Sequence, residues 1–127
     1  LPLIKYSTVN GIPLNEFTTK EILEECYNET IGAAAKIIKL KGATFYAPSL
    51  AIYRMLEAIK LNKNIVMPSS TFLQGEYNQE GLCIGVPTIL GKNGIKKIIE
   101  LELSENELKQ FNIGVQNLKN AVKETKL

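Results

Sequence analysis

Histidine, aspartate and tryptophan are absent from this chain of 127 residues, and Arg54 is its one arginine. Each absence removes a chemistry. Without histidine there is no imidazole to act as general base near neutral pH, and nothing to activate Ser69, Ser70 or Thr71 as a nucleophile. With no histidine, no aspartate and only Cys26 and Cys83, far apart, no metal-ligand spacing can be read and no metal is expected. The glutamates fall at helix starts or on wet faces. Taken by its residues alone, the chain reads as a binding or assembly domain with no catalytic residue of its own.

Other scarcities narrow the partners. No apolar run reaches the length of a membrane span, so no membrane partner is expected. The densest basic run, Lys36-Ile37-Ile38-Lys39-Leu40-Lys41, has no interleaved aromatics, which argues against a nucleic-acid surface and for cations placed at a helix C-terminus. The two cysteines form no CxxC and sit in apolar patterns, as reduced core thiols of a soluble, cytoplasmic protein would. Asn28-Glu29-Thr30 matches a glycosylation sequon without a secretory leader, and is read as chance. No glycine-rich strand-to-helix fingerprint is present, so a dinucleotide cannot be held here in the Rossmann manner.

What is present is ordinary globular material: 45% hydrophobic residues, 22% charged, a net charge of +2, and a length suited to one domain. The opening Leu1-Pro2-Leu3-Ile4 enters an apolar stretch directly, with no methionine, as a segment cut from a longer chain would. Leu3 to Val9 predicts a strand, turned at Asn10-Gly11 and Pro13. Thr18 and Glu21 have capping-box spacing at the head of a helix that carries Ile22, Cys26, Ile31, Ala34 and Ile38 as an apolar stripe and stops at Gly42. Within it, Gly32-Ala33-Ala34-Ala35 permits a very close approach by a backbone or a ligand.

A second helix is predicted after Pro48, burying Ile52, Met55, Leu56 and Ile59 and leaving Arg54 solvated. Strands follow over Asn64–Leu73 and Leu82–Leu90, then a hairpin turn at Gly91-Lys92-Asn93-Gly94 and a strand alternating over Ile99–Leu103. Ser104 and Glu107 open a last helix with Leu108, Phe111, Val115, Leu118 and Val122 on one face, before a lysine-rich end. Helices segregated from hairpin-linked strands imply an α+β fold with a mostly antiparallel sheet and long helices.

Several segments, in order, resemble one family. Ile4-Lys5-Tyr6-Ser7-Thr8-Val9-Asn10-Gly11-Ile12-Pro13-Leu14 is similar to the stretch just after the catalytic histidine motif of lactate/malate dehydrogenases. Lys41-Gly42-Ala43-Thr44-Phe45-Tyr46-Ala47-Pro48 resembles their substrate-pocket segment. Gln74-Gly75-Glu76-Tyr77, Gly85-Val86-Pro87-Thr88-Ile89-Leu90-Gly91, Asn93-Gly94 and Ile99–Leu103 resemble their C-terminal strands. The likeness runs over essentially all of the chain.

The resemblance implies that residues 1–127 form the C-terminal substrate-binding and assembly domain of an NAD-dependent 2-hydroxy-acid dehydrogenase. An N-terminal Rossmann domain, absent from this chain, would bind NAD and supply the catalytic histidine, its aspartate and the substrate arginines. The chain alone would then be inactive. Thr44 matches a pocket position near the bound acid, with a helix N-cap hydroxyl as its plain structural role. Pro48 matches a position near the nicotinamide ring, and Gly32 and Ala33 match a pocket-lining helix that also packs at a subunit contact. A homodimer or homotetramer acting on a small 2-hydroxy/2-oxo acid is implied, with malate favoured over lactate. The rival reading is a non-catalytic oligomerisation or ligand-binding module of the same fold.

Overall fold

Gly42 shows how local chemistry bounds the first long helix in the computed structural model, which describes residues 1–125. Helix α1 runs Lys20–Lys41 and stops because Gly42 adopts φ 79°, a left-handed geometry that only glycine takes cheaply, and returns its N–H to the Ile38 carbonyl at 2.7 Å. At the other end the N-cap is Thr19, one residue later than the capping box predicts, and its side chain makes no backbone cap. Glu21 sits in this first turn. Its own backbone N–H and then the Thr19 hydroxyl hydrogen-bond the carboxylate and hold its pKa below the ordinary value.

Ahead of α1 the predicted strand Leu3–Val9 is replaced by a 3-10 turn, Ile4–Tyr6, leading into a short strand. The reason is local. The Ser7 hydroxyl donates to the Leu3 carbonyl at 3.2 Å while the Tyr6 and Ser7 N–H groups close turns on Leu3 and Ile4, so these groups are spent before a ladder can form. Strand β1, Thr8–Val9, pairs antiparallel with β2, Ile12–Pro13, across the Asn10–Gly11 turn. A second 3-10 turn, Leu14–Glu16, precedes α1. Helix α2 spans Tyr46–Lys60, beginning two residues before Pro48. Pro48 still lies in the first turn, where a missing N–H costs no helical bond.

The chain divides into two units, Leu1–Pro48 and Ser49–Leu127. In the second, β3 (Ile65–Gln74), β4 (Glu80–Gly91) and β5 (Gly94–Ile98) form an antiparallel sheet in the order β3-β4-β5, and α3 runs Glu105–Glu124. The fold is therefore α+β with antiparallel sheets. Ser69 pairs with Val86 and Thr71 with Ile84, which sets one face of β3 and β4 inward. Leu73, Leu82, Val86 and Leu90 on the sheet, Val115 on α3 and Ala58 on α2 are the buried apolar residues. Two buried hydroxyls satisfy each other: Thr88 lies 3.0 Å from the Ser69 hydroxyl and 3.1 Å from the Met67 carbonyl.

Residues Ile99–Leu103 alternate between half-buried and exposed as predicted, yet the ladder belongs to Gly94–Ile98 instead. The segment is pinned by a tyrosine. Tyr77 donates its hydroxyl to the Ile99 carbonyl and accepts the Leu101 N–H, both at 2.9 Å, while its own N–H reaches the Glu100 carboxylate at 2.6 Å. Its ring meets Phe111 of α3 at 5.3 Å between centroids. The capping box of α3 forms as the sequence predicts: the Ser104 hydroxyl accepts the Glu107 N–H, and the Glu107 carboxylate accepts the Ser104 N–H at 2.8 Å.

Predicted burials fail in α2, in α3 and at both cysteines. In α2, Ile52 and Leu56 are exposed, and the covered face is Met55, Ala58 and Ile59, offset by part of a turn. Leu108 and Val122 at the ends of the α3 stripe are likewise exposed. Cys26 and Cys83 are free thiols as read, but exposed, so neither belongs to the core. Among the described residues no helix is long and apolar enough to cross a membrane. Lys126, in the lysine-rich end, lies outside the described residues.

Candidate functional site

All four positions singled out in the sequence, Gly32, Ala33, Thr44 and Pro48, fall in the first unit. Gly32 and Ala33 lie mid-way along α1, where Glu29, Gly32, Ala33 and Lys36 recur at helical spacing and line a shallow groove of about 300 Å³. A Cβ added to Gly32 would meet nothing within 4 Å. The small side chains thus leave an indentation flanked by a carboxylate and an ammonium.

Thr44 and Pro48 belong to the corner between α1 and α2. Because α2 starts at Tyr46, its N-cap position is Phe45, and Thr44 stands one residue outside it. That removes the hydroxyl from the usual capping position and leaves Thr44 half-buried in the corner. Around it the Phe45 and Tyr46 rings lie 4.7 Å apart and the Lys41 ammonium sits 4.9 Å over the Tyr46 ring. The corner is therefore an aromatic ledge with one cation, and Pro48 is exposed on it.

The structure does not gather the four residues into one cavity. Ten residues of helix separate Gly32 from Gly42, a run of roughly 15 Å at the helical rise. In the second unit a broad depression of about 380 Å³ is lined by Phe72, Gln74, Glu76, Ile95, Lys96, Lys97 and Ile98. Its carboxylate is already engaged: the Gln74 N–H, then Glu76's own, hold the Glu76 pKa below the ordinary value. Among the described residues no three His, Cys, Asp or Glu side chains gather as a metal site would require. Sequence reasoning gave no role to Tyr77, whose hydroxyl and backbone N–H reach Ile99, Glu100 and Leu101. An isolated Tyr in a turn carries no local signal of its long-range bonds.

The family model for the lactate/malate dehydrogenase alpha/beta C-terminal domain matches residues 1–126. The chain belongs to the lactate/malate dehydrogenase family. It is 41% identical over 125 residues to a protein of Bacillus pumilus (strain SAFR-032) named malate dehydrogenase, covering 97% of this chain and 40% of that relative. It is 42% identical over 125 residues to an Oceanobacillus iheyensis protein named L-lactate dehydrogenase, covering 94% of this chain and 39% of the relative. Among solved structures, the malate dehydrogenase from Aeropyrum pernix superposes with a TM-score of 0.88 at 40% identity, covering 97% of this chain and 41% of that one. The chain thus spans about two-fifths of the length of the lactate/malate dehydrogenases it matches.

Proposed function

We propose that this chain is the C-terminal substrate-binding and assembly domain of an NAD-dependent 2-hydroxy-acid dehydrogenase, with malate as the favoured substrate. The observation that carries the reading is the match of residues 1–126 to that domain of the family. In the whole enzyme a hydride passes between the nicotinamide and C2 of the acid, while a histidine–aspartate pair in the N-terminal domain handles the hydroxyl proton. This chain has neither residue and contributes no acid or base to that step.

Thr44 is proposed to hydrogen-bond the bound 2-hydroxy or 2-oxo acid, a role supported by its place outside the helix cap. Pro48, on the ledge beside Phe45 and Tyr46, is proposed to flank the nicotinamide ring. The rest of NAD does not fit this chain. The described strands pair only antiparallel, so they offer no parallel strand-to-helix crevice for a pyrophosphate. The N-terminal Rossmann domain would hold it. Gly32 and Ala33 let a neighbouring element close on α1, whose exposed Ile22, Ile31 and Ile38 suit assembly into a homodimer or homotetramer. A cytoplasmic location is part of the same reading.

Lactate is the second reading, favoured by the relative named L-lactate dehydrogenase. The test is NADH oxidation by the protein expressed from its full reading frame, with oxaloacetate and with pyruvate. A kcat/KM higher for oxaloacetate is expected. Preference for pyruvate moves the assignment to lactate, and no oxidation with either acid would overturn the dehydrogenase reading.

A further inference from the structure

The sequence contains two Asn–Gly pairs, Asn10-Gly11 and Asn93-Gly94, both in hairpin turns. We infer that Asn10 is a site of spontaneous deamidation and that Asn93 is protected by its place in the sheet. The chemistry needs only water. The backbone nitrogen of the following residue loses its proton and attacks the Asn carbonyl carbon Cγ. A nitrogen–carbon bond forms, the carboxamide carbon–nitrogen bond breaks, and ammonia leaves with the proton. Water then opens the cyclic imide at either carbonyl, giving aspartate or its isopeptide form. Glycine as the following residue has no Cβ to obstruct the attack.

The two turns differ by one position of register. In the first, Val9 pairs with Ile12, so Asn10 and Gly11 are the two loop residues, at φ 50° and 84°. The closing ladder contacts belong to Val9 and Ile12, and the Gly11 nitrogen sits at the tip, outside the ladder. Both residues are exposed, and a Cβ at Gly11 would meet nothing within 4 Å. The hairpin has two residue pairs and no buried residue, so it opens at little cost and lets the nitrogen find Cγ.

In the second turn Gly94 is itself the first residue of β5 and pairs with the buried Gly91, so the attacking nitrogen would have to leave the ladder. The turn is also clamped from outside. The Asn62 side-chain oxygen accepts the Lys92 N–H at 3.0 Å, and the Asn64 amide donates to the Asn62 carbonyl at 3.1 Å. Imide formation at Asn93 therefore requires local unfolding of a sheet end that carries part of the core. Conversion at Asn10 would add a carboxylate to the first unit. Its isopeptide form would insert a backbone methylene into the two-residue turn between β1 and β2.

The test is peptide mapping after the full protein is held at mildly alkaline pH in water carrying a heavy oxygen isotope, folded and in urea. In the folded protein the label is expected to enter the Asn10 peptide several-fold faster than the Asn93 peptide. In urea the two rates should converge, since the dipeptides are the same. Folded-state labelling at Asn93 as fast as at Asn10, or labelling of Asn10 in urea only, would overturn the assignment.

Discussion

Leu73 and Ala58 in the second unit have no exposed surface, whereas Ile31 and Leu40 on α1 remain 58% and 75% exposed. Among the described residues every buried one lies between Ala58 and Val115, and none lies in Leu1–Pro48. Both units carry apolar residues at the right spacing. The difference is that the sheet unit buries a small core of its own, although Ile52, Leu56, Leu108 and Val122 stay exposed in it, while the first unit buries none of the apolar residues on α1. Helical stability in water comes mostly from packing an apolar face, and α1 has little of its own face packed within the first unit.

The sharpest way to probe that contrast is truncation in each unit. Leu73→Ala should destabilise the chain by about 2–5 kcal/mol, read from urea or thermal melts, because it empties a fully buried position. Ile31→Ala should change the isolated chain by no more than about 0.5 kcal/mol, since little apolar surface is lost to water there. The same Ile31→Ala in the protein from the full reading frame should be clearly more costly. Equal effects in both contexts would mean that α1 stays uncovered.

Within the second unit, Tyr77→Phe removes the hydroxyl that serves both Ile99 and Leu101, at an expected cost of about 1–3 kcal/mol for the two backbone groups left behind. Hydrogen exchange at the Leu101 amide should speed up in step. Ser104→Ala should cost about 1 kcal/mol through loss of the α3 cap, measured by the same melts. Thr19→Ala in the first unit should cost less, because its side chain makes no backbone cap.

The smallest effect is pH-linked. Glu76 and Glu21 have folded pKa values below the ordinary value, so the stability they add is present above the carboxylate range and is lost as pH falls through those lowered values. Glu21 is exposed and Glu76 only half-buried, so both are solvent-screened and the change in melting is small. Glu76→Gln should flatten that part of the stability profile, and carboxyl chemical-shift titration should show Glu76 titrating below the ordinary glutamate value.

Much of this was legible wherever a local rule decides the outcome. Gly42 stops α1, Asn10-Gly11 makes a turn, and Ser104 with Glu107 caps α3, each by bonds within a few residues. Two readings failed for local reasons, the strand Leu3–Val9 and the cap at Thr18, while the others depended on partners distant in sequence. Ile99–Leu103 has the alternation of a strand, but the turn at Gly91–Gly94 gives the ladder to Gly94–Ile98, and Tyr77 holds the next segment by its hydroxyl. Ile52, Leu56 and Cys26 sit at plausible core spacing and are exposed, because spacing names a face and not what covers it. Thr44 was singled out through family resemblance alone. Its half-buried threonine beside an aromatic ledge has no chemistry that spacing could reveal.

Turnover by the 127-residue chain itself is the most direct test of the claim that it shapes a pocket but supplies no acid or base. Purified chain should oxidise no NADH with oxaloacetate or pyruvate, while protein from the full reading frame does so with at least one of them. Measurable turnover by the chain alone would contradict the account.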